Sequence, residues 1–368
     1  MVDLKSQYLR IKEDIDHAIM STLNHTSFIN GPEVKLFQQN LQNYLKVKHV
    51  VPCANGTDAI QIALMALGLK PGDEVITSNF TFISTVEVIA LMGLKPVLVD
   101  VSLNDFNILA KEIEKKITDR TKAIIPVHLF GQGADMQTIN EISKKYSLSI
   151  VEDAAQSLGS ECVIGNELKK TGTIGDIGCT SFFPSKNLGC FGDGGACMTN
   201  DDELALKIRR IANHGSDQKY YHSTVGVNSR LDSIQAAILN VKLKHLDEFN
   251  RRRSSVAEYY DRNLKSIGQI QIPIRSEFGS HVFHQYTLRI KDGSRDALKG
   301  ELNRQGVPAM IYYPVPINQQ EVFANLIQKQ DFPNSNLLCN EVLSLPMHTE
   351  MDEEQLNHIV SSIHKFYS

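Results

Sequence analysis

The sequence predicts an α/β fold: a mostly parallel central sheet with helices on both faces, plus a smaller C-terminal α+β domain. Three observations carry that prediction. From about residue 50 to 200, short β-branched runs alternate with helical patterns, as in strands joined by crossover helices. A long helical pattern then runs from Asp232 to about Lys265, and the segment beyond it is mixed. Finally, 368 residues with 42% hydrophobic and 22% charged content can bury a core large enough for two domains. The division is placed between an N-terminal segment with the large domain, 1–244, and a small domain, 245–368.

In chain order the strands read as Glu74–Thr77, Pro96–Val101, Ala123–Val127, Leu148–Glu152, Cys179–Phe183 and Ala196–Thr199. Between them, Thr57–Gly68 sets Ile60, Leu64 and Leu67 at helical spacing and stops at a glycine. Phe82–Gly93 and Met136–Tyr146 read as helices in the same way. After Asp232 one apolar face continues through Ile234, Ala237, Ile238, Val241, Leu246 and Phe249. Within the small domain, Phe283–Ile290 reads as a strand and Glu353–Phe366 as the last helix.

A net charge of -4, from 38 basic and 42 acidic residues, leaves no footprint for nucleic acid or an anionic membrane. The triplet Arg251-Arg252-Arg253 reads as a solvated helix face. No run approaches the roughly 20 apolar residues of a membrane span, and the N-terminus has no signal-peptide core, so a cytoplasmic protein is expected. The six cysteines are scattered without metal-type spacing and read as reduced thiols. The 12 histidines form no H-E-x-x-H pattern, so no metal site is expected. His128 and His214 remain candidates for substrate contact.

Neither a complete dinucleotide loop nor a P-loop occurs; Gly131-Gln132-Gly133 lacks the third glycine. Three other segments lie at predicted strand ends, where open α/β sheets place ligands. Asn55-Gly56-Thr57-Asp58 opens a helix, and its free amides and dipole suit a phosphate; an ordinary N-cap is the competing reading. In Val151-Glu152-Asp153-Ala154-Ala155-Gln156 a hydrophobic strand ends in two carboxylates. Burying one is costly unless a cation such as a protonated pyridine nitrogen meets it; Asp153 as a helix cap is the alternative. Thr180-Ser181-Phe182-Phe183-Pro184-Ser185-Lys186 sets a lysine just past a strand, before Gly192-Asp193-Gly194-Gly195. Desolvation there would lower its pKa so that the neutral amine forms a Schiff base.

Taken together and in this order, these motifs resemble the DegT-type nucleotide-sugar aminotransferases, of fold type I among pyridoxal-phosphate enzymes. The resemblance extends from Phe28-Ile29-Asn30-Gly31-Pro32 to Ser344-Leu345-Pro346-Met347-His348. It implies that Lys186 is the Schiff-base and catalytic lysine, Asp153 the partner of the pyridine nitrogen and Gln156 the neighbour of the ring hydroxyl. Phe82 would stack on the ring, and Gly56, Thr57, Asp58 and Ser181 would surround the phosphate. The segment Val225-Gly226-Val227-Asn228-Ser229-Arg230 resembles an element that crosses a homodimer interface, so that Asn228 reaches the partner's phosphate and Arg230 its substrate. A surface ion pair is the competing reading of Arg230.

The resemblance further implies that L-glutamate aminates the cofactor to pyridoxamine phosphate, which then aminates a nucleotide-linked keto sugar. A dehydratase branch carries histidine at the lysine position, so Lys186 points to transamination. Phe182-Phe183-Pro184-Ser185-Lys186-Asn187-Leu188-Gly189-Cys190 resembles the branch acting on 3-keto sugars. Its expected substrate is UDP-3-keto-N-acetylglucosaminuronate, for O-antigen and lipopolysaccharide sugars. One departure is Ile311-Tyr312-Tyr313-Pro314, where that branch reads His-Tyr-Pro; Tyr312 and Tyr313 become the expected sugar contacts. A TDP-3-keto-6-deoxyhexose, a 4-keto sugar, and a non-catalytic regulatory protein are the alternatives.

Overall fold

The computed structural model describes residues 1–327 and 330–368. Seven strands form the central sheet: β1 (His49–Cys53), β2 (Glu74–Ser78), β3 (Lys95–Val99), β4 (Thr121–Ile125), β5 (Ser149–Asp153), β6 (Ile177–Ser181) and β7 (Gly195–Thr199). Their spatial order is β1-β7-β6-β5-β4-β2-β3. The pairs from β3 through β6 are parallel, and β7 runs antiparallel to both of its neighbours. β1 has no counterpart among the strands read from sequence. Pro52 hid it, since proline gives no ladder donor; the structure tolerates Pro52 because β1 is an edge strand.

Alternation along the strands sends neighbouring residues to opposite faces, and this is why helices cover both. Val75, Ala123 and Val151 pack against Ile60, Ala63 and Leu64 of the helix Gly56–Ala66. Ile76, Ile124 and Ile150 face the other way, onto Ile139 and Ile142 of Met136–Tyr146. Val50, Ala196 and Met198 meet Phe37 and Leu41 of Pro32–Leu45 on that second side. Each buried valine, leucine, isoleucine, methionine or phenylalanine among these stabilises the layers by about 2 kcal/mol.

The apolar stripe after Asp232 is continuous, but the helix is not. It divides into Ser233–Leu243 and Leu246–Leu264, because Lys244 and His245 donate back three residues, to Val241 and Lys242, rather than four. The second helix serves two cores. Leu246 joins the packing around Phe37, whereas Val256, Tyr260 and Leu264 pack against the antiparallel sheet of Ile270–Gln271, Tyr286–Ile290 and Val342–Leu345. The helices Arg295–Arg304 and Glu353–Tyr367 close that smaller core.

The expected strand from Phe283 begins only at Tyr286. Phe283 has φ 47°, and Val282 and Gln285 donate instead to the carbonyls of Gly131 and Phe130, turning this stretch toward the large sheet. All six cysteines are buried free thiols. Among the described residues no cluster of three or more potential metal ligands occurs, and no helix is long and apolar enough to cross a membrane.

Candidate active site

The C-terminal ends of β1, β5 and β6 and the N-terminal end of the antiparallel β7 meet at one edge of the sheet. At that edge lies a cavity of 510 Å³, lined among others by Gly56, Thr57, Phe82, Asp153, Gln156, Ser181, Lys186, Tyr312 and Tyr313. One wall is a helix N-terminus. Asn55 is extended, and its side chain accepts from the Asp58 amide at 2.8 Å. That leaves the amides of Gly56 and Thr57 as the free donors of the first turn. A Cβ at position 56 would stand 2.8 Å from Cβ of Ser181, so glycine is what brings the serine against these donors. Asp58 itself does not line the cavity; the cap consumes its amide.

Asp153 ends β5 with its carboxylate turned to the cavity. Thr85 Oγ1 donates to Oδ2 at 2.7 Å and Ala155 N to Oδ1 at 3.2 Å. No helix follows it directly, so it caps none. Its neighbour Glu152 points to the opposite side of the strand. There it accepts from His128 Nε2 at 2.9 Å and from the amides of Gly172, Ile174 and Gly175 at 2.8, 2.6 and 2.7 Å. His128, fully buried and also accepting from Ala134 N, is therefore a structural group and not a substrate contact. His214 is likewise no wall of the cavity: it sits exposed on a turn, its amide held by Val227 O.

Lys186 follows β6 in a turn closed by its own amide to Phe183 O at 2.8 Å. Asn187 pins the turn to Asn250 and to the Val282 carbonyl at 2.7 and 2.9 Å. Burial pushes the Lys186 amine down to about 8, against the upward pull of the Asp153 carboxylate. Gln156 spans the floor, accepting from Phe130 N at 2.7 Å and donating to the Tyr313 hydroxyl at 3.1 Å. Tyr313 stacks on Phe130 with centroids 6.4 Å apart and lies 6.2 Å from the ring of Phe82, which remains 53% exposed over the cavity.

A family model, the DegT/DnrJ/EryC1/StrS aminotransferase family, matches residues 9–364. The chain belongs to this family. The aminotransferase is 46% identical over 362 residues to the UDP-2-acetamido-2-deoxy-3-oxo-D-glucuronate aminotransferase of Pseudomonas aeruginosa, covering 98% of each chain. It is also 46% identical to the pleiotropic regulatory protein of Geobacillus stearothermophilus, over all of this chain and 98% of that one. Among solved structures, DesV of S. venezuelae in complex with a ketimine intermediate superposes with a TM-score of 0.95 at 36% identity, covering 100% of this chain and 98% of that chain.

Aminotransferases of this family use pyridoxal phosphate, and the cavity of this one fits that group on its own evidence. Free amides beside a serine suit the phosphate, a carboxylate suits a ring cation, and a desolvated amine suits the aldehyde. Asn228 and Arg230 do not line this cavity. Their strip is fastened behind the turn that leads into the helix Gly56–Ala66, where Ser229 Oγ accepts from Ala54 N at 3.0 Å and Ser229 N donates to Ala212 O.

Several residues at the site escape sequence reasoning. Thr85, which orients Asp153, reads as one more helical position. Lys242 is buried and donates to Gly189 O at 2.7 Å under the Lys186 turn; a lysine between Val241 and Leu243 on an apolar stripe was the available signal. Phe130 and His284 carry no local signal at all.

Proposed function

We propose that this aminotransferase moves an amino group from L-glutamate to the 3-keto group of a nucleotide-linked sugar. The sugar is UDP-2-acetamido-2-deoxy-3-keto-glucuronate, made in the cytoplasm for O-antigen and lipopolysaccharide. One observation carries the reading: Lys186, with its pKa near 8, and the carboxylate of Asp153 face one cavity. The Pseudomonas relative's substrate motivates the choice of sugar.

Bound pyridoxal phosphate supplies an aldehyde and an electron-withdrawing ring. The chain does the rest. Lys186 would hold the aldehyde covalently and, once released, carry a proton between substrate and cofactor carbons. Asp153, fixed by Thr85, would keep a proton on the ring nitrogen. The Gly56 and Thr57 amides and the Ser181 hydroxyl would bind phosphate, with Phe82 over the ring and Gln156 at its hydroxyl. Tyr312 and Tyr313 would face the sugar. Residues 1–244 and 245–368 are the two domains in this reading, with the cavity between them.

A uronate and glutamate both bring carboxylates, yet Lys186 is the sole lysine or arginine lining the cavity among the described residues, beside two aspartates, 153 and 193. An anion needs a cation there. A homodimer supplies it, with Arg230 of one subunit entering the other's site and Asn228 reaching its phosphate.

The test is the mass of the product formed from UDP- and TDP-linked 3-keto and 4-keto sugars with glutamate. An added amino group on the UDP 3-keto uronate is expected; amination of the TDP sugar alone would overturn the choice of substrate. Lys186→Ala should lower turnover by about 10⁴-fold or more with the fold intact. The Geobacillus relative's name favours a second reading, a cofactor-bearing regulator. A visible absorption band that glutamate leaves unchanged would mark it.

A further inference from the structure

His284 lines the same cavity as Lys186 and Asp153, yet none of the roles above employs it. It is 6% exposed. Its backbone is held firmly: Val282 N donates to Gly131 O at 2.9 Å and Gln285 N to Phe130 O at 3.2 Å. Arg253 Nη1 donates to the carbonyls of Phe283 and His284 at 3.1 and 3.3 Å. The imidazole is thus placed by its surroundings, but its ring is not tied. Nδ1 is sealed from solvent and has no partner among the described residues.

A second orphan lies on Arg253, the residue whose Nη1 donates to the His284 carbonyl. Arg253 departs from the solvated face expected of the arginine triplet: it is 2% exposed, and its Nε–H also lacks a partner among the described residues. One is a ring nitrogen able to accept, the other an N–H able only to donate. Leaving both buried and unpaired is costly, whereas one enclosed water bridging them would satisfy both. The charges nearby select the protonation state. Burial, and then Lys186, Arg253 and His281, push the ring well below the ordinary histidine range, so it stays neutral. A neutral ring beside guanidinium turns its lone pair, not its proton, toward the cation. Such a bridge would leave the proton on Nε2.

We propose that Arg253 holds His284 in the Nε2–H tautomer, and that this N–H donates to the carbonyl oxygen of the bound keto sugar. The inference rests on the aminotransferase reading and adds a catalytic residue to it. When an amine attacks the ketone, a C–N bond forms, the C–O π bond breaks and negative charge gathers on oxygen. Both N–H protons of the amine pass to that oxygen, which departs as water. His284 steadies the charge and ends as it began. A neutral donor suits the task because it does not titrate away within the working range.

The experiment pairs a spectroscopic and a kinetic readout on the cofactor-loaded protein. Nitrogen NMR of histidine-labelled wild type should give His284 as neutral and Nε2-protonated from about pH 6 to pH 8. In single turnovers with the UDP-linked 3-keto sugar, His284→Phe should slow amination about 10²–10³-fold, with sugar affinity changed by less than about threefold. His284→Gln, which restores an N–H near Nε2, should recover most of the rate. An Nδ1-protonated or charged ring, or a His284→Phe variant that aminates at the wild-type rate, would overturn the proposal. If His284→Phe fails to fold, the wild-type spectrum still decides. A wild-type protein that captures no cofactor at Lys186 would instead remove the reading on which it rests.

Discussion

At the scale of single residues, the reactivity of Lys186 is set by two opposed influences. Burial expels its proton and the Asp153 carboxylate retains it, leaving the pKa at about 8. In cofactor-free protein the amine should therefore acylate faster as pH rises through 8 and level off above it. Asp153→Asn removes the retaining charge, so the pKa falls and the profile moves to lower pH. Acylation of Lys186 followed by peptide mass across pH checks this; a profile that stays in place or moves upward contradicts it. The lysine and the aspartate were legible in the sequence because a charge stands where an apolar strand ends, and the glycine-led helix because Asn55-Gly56-Thr57 precedes a run at helical spacing. His284 and Thr85 were not. Their importance comes from what folds against them, and neither interrupts a periodicity.

At the scale of elements, two junctions carry the site. Gly56 starts the helix that bears the free amides, and a methyl there would stand 2.8 Å from Ser181 Cβ. Gly56→Ala should cost about 1–3 kcal/mol, lowering the thermal midpoint and weakening cofactor binding about tenfold or more; a melt and an absorbance titration measure the two. The other junction is hidden behind β5. Glu152 gathers His128 and three amides of the 172–175 turn without touching the cavity. Glu152→Gln sets an NH2 group against N–H donors that the carboxylate oxygen had accepted, and should destabilise the chain by about 3 kcal/mol in urea unfolding while sparing the cavity's own groups. The alternation of strands and helices foretold the layers well, since burial on both faces makes apolar runs conspicuous. It failed at β1, where Pro52 masks an edge strand, and at residues 244–245, where the apolar stripe runs on through a break in the hydrogen-bond ladder.

At the scale of the whole molecule, one chain supplies a cavity with, among the described residues, a single lysine, no arginine and two aspartates in its lining, while Asn228 and Arg230 lie on a strip outside that lining. If two copies complete each other's sites, two inactive variants should rescue one another. Mixing Lys186→Ala with Arg230→Ala subunits gives hybrids in which one site carries both defects and the other neither. Random reassociation puts half of the dimers in that hybrid class, so activity should return to roughly one quarter of wild type. Were Arg230 to serve the site of its own chain, both sites of every hybrid would be defective and the mixture would stay inactive. The assay therefore separates shared from self-contained sites without requiring a structure of the assembly.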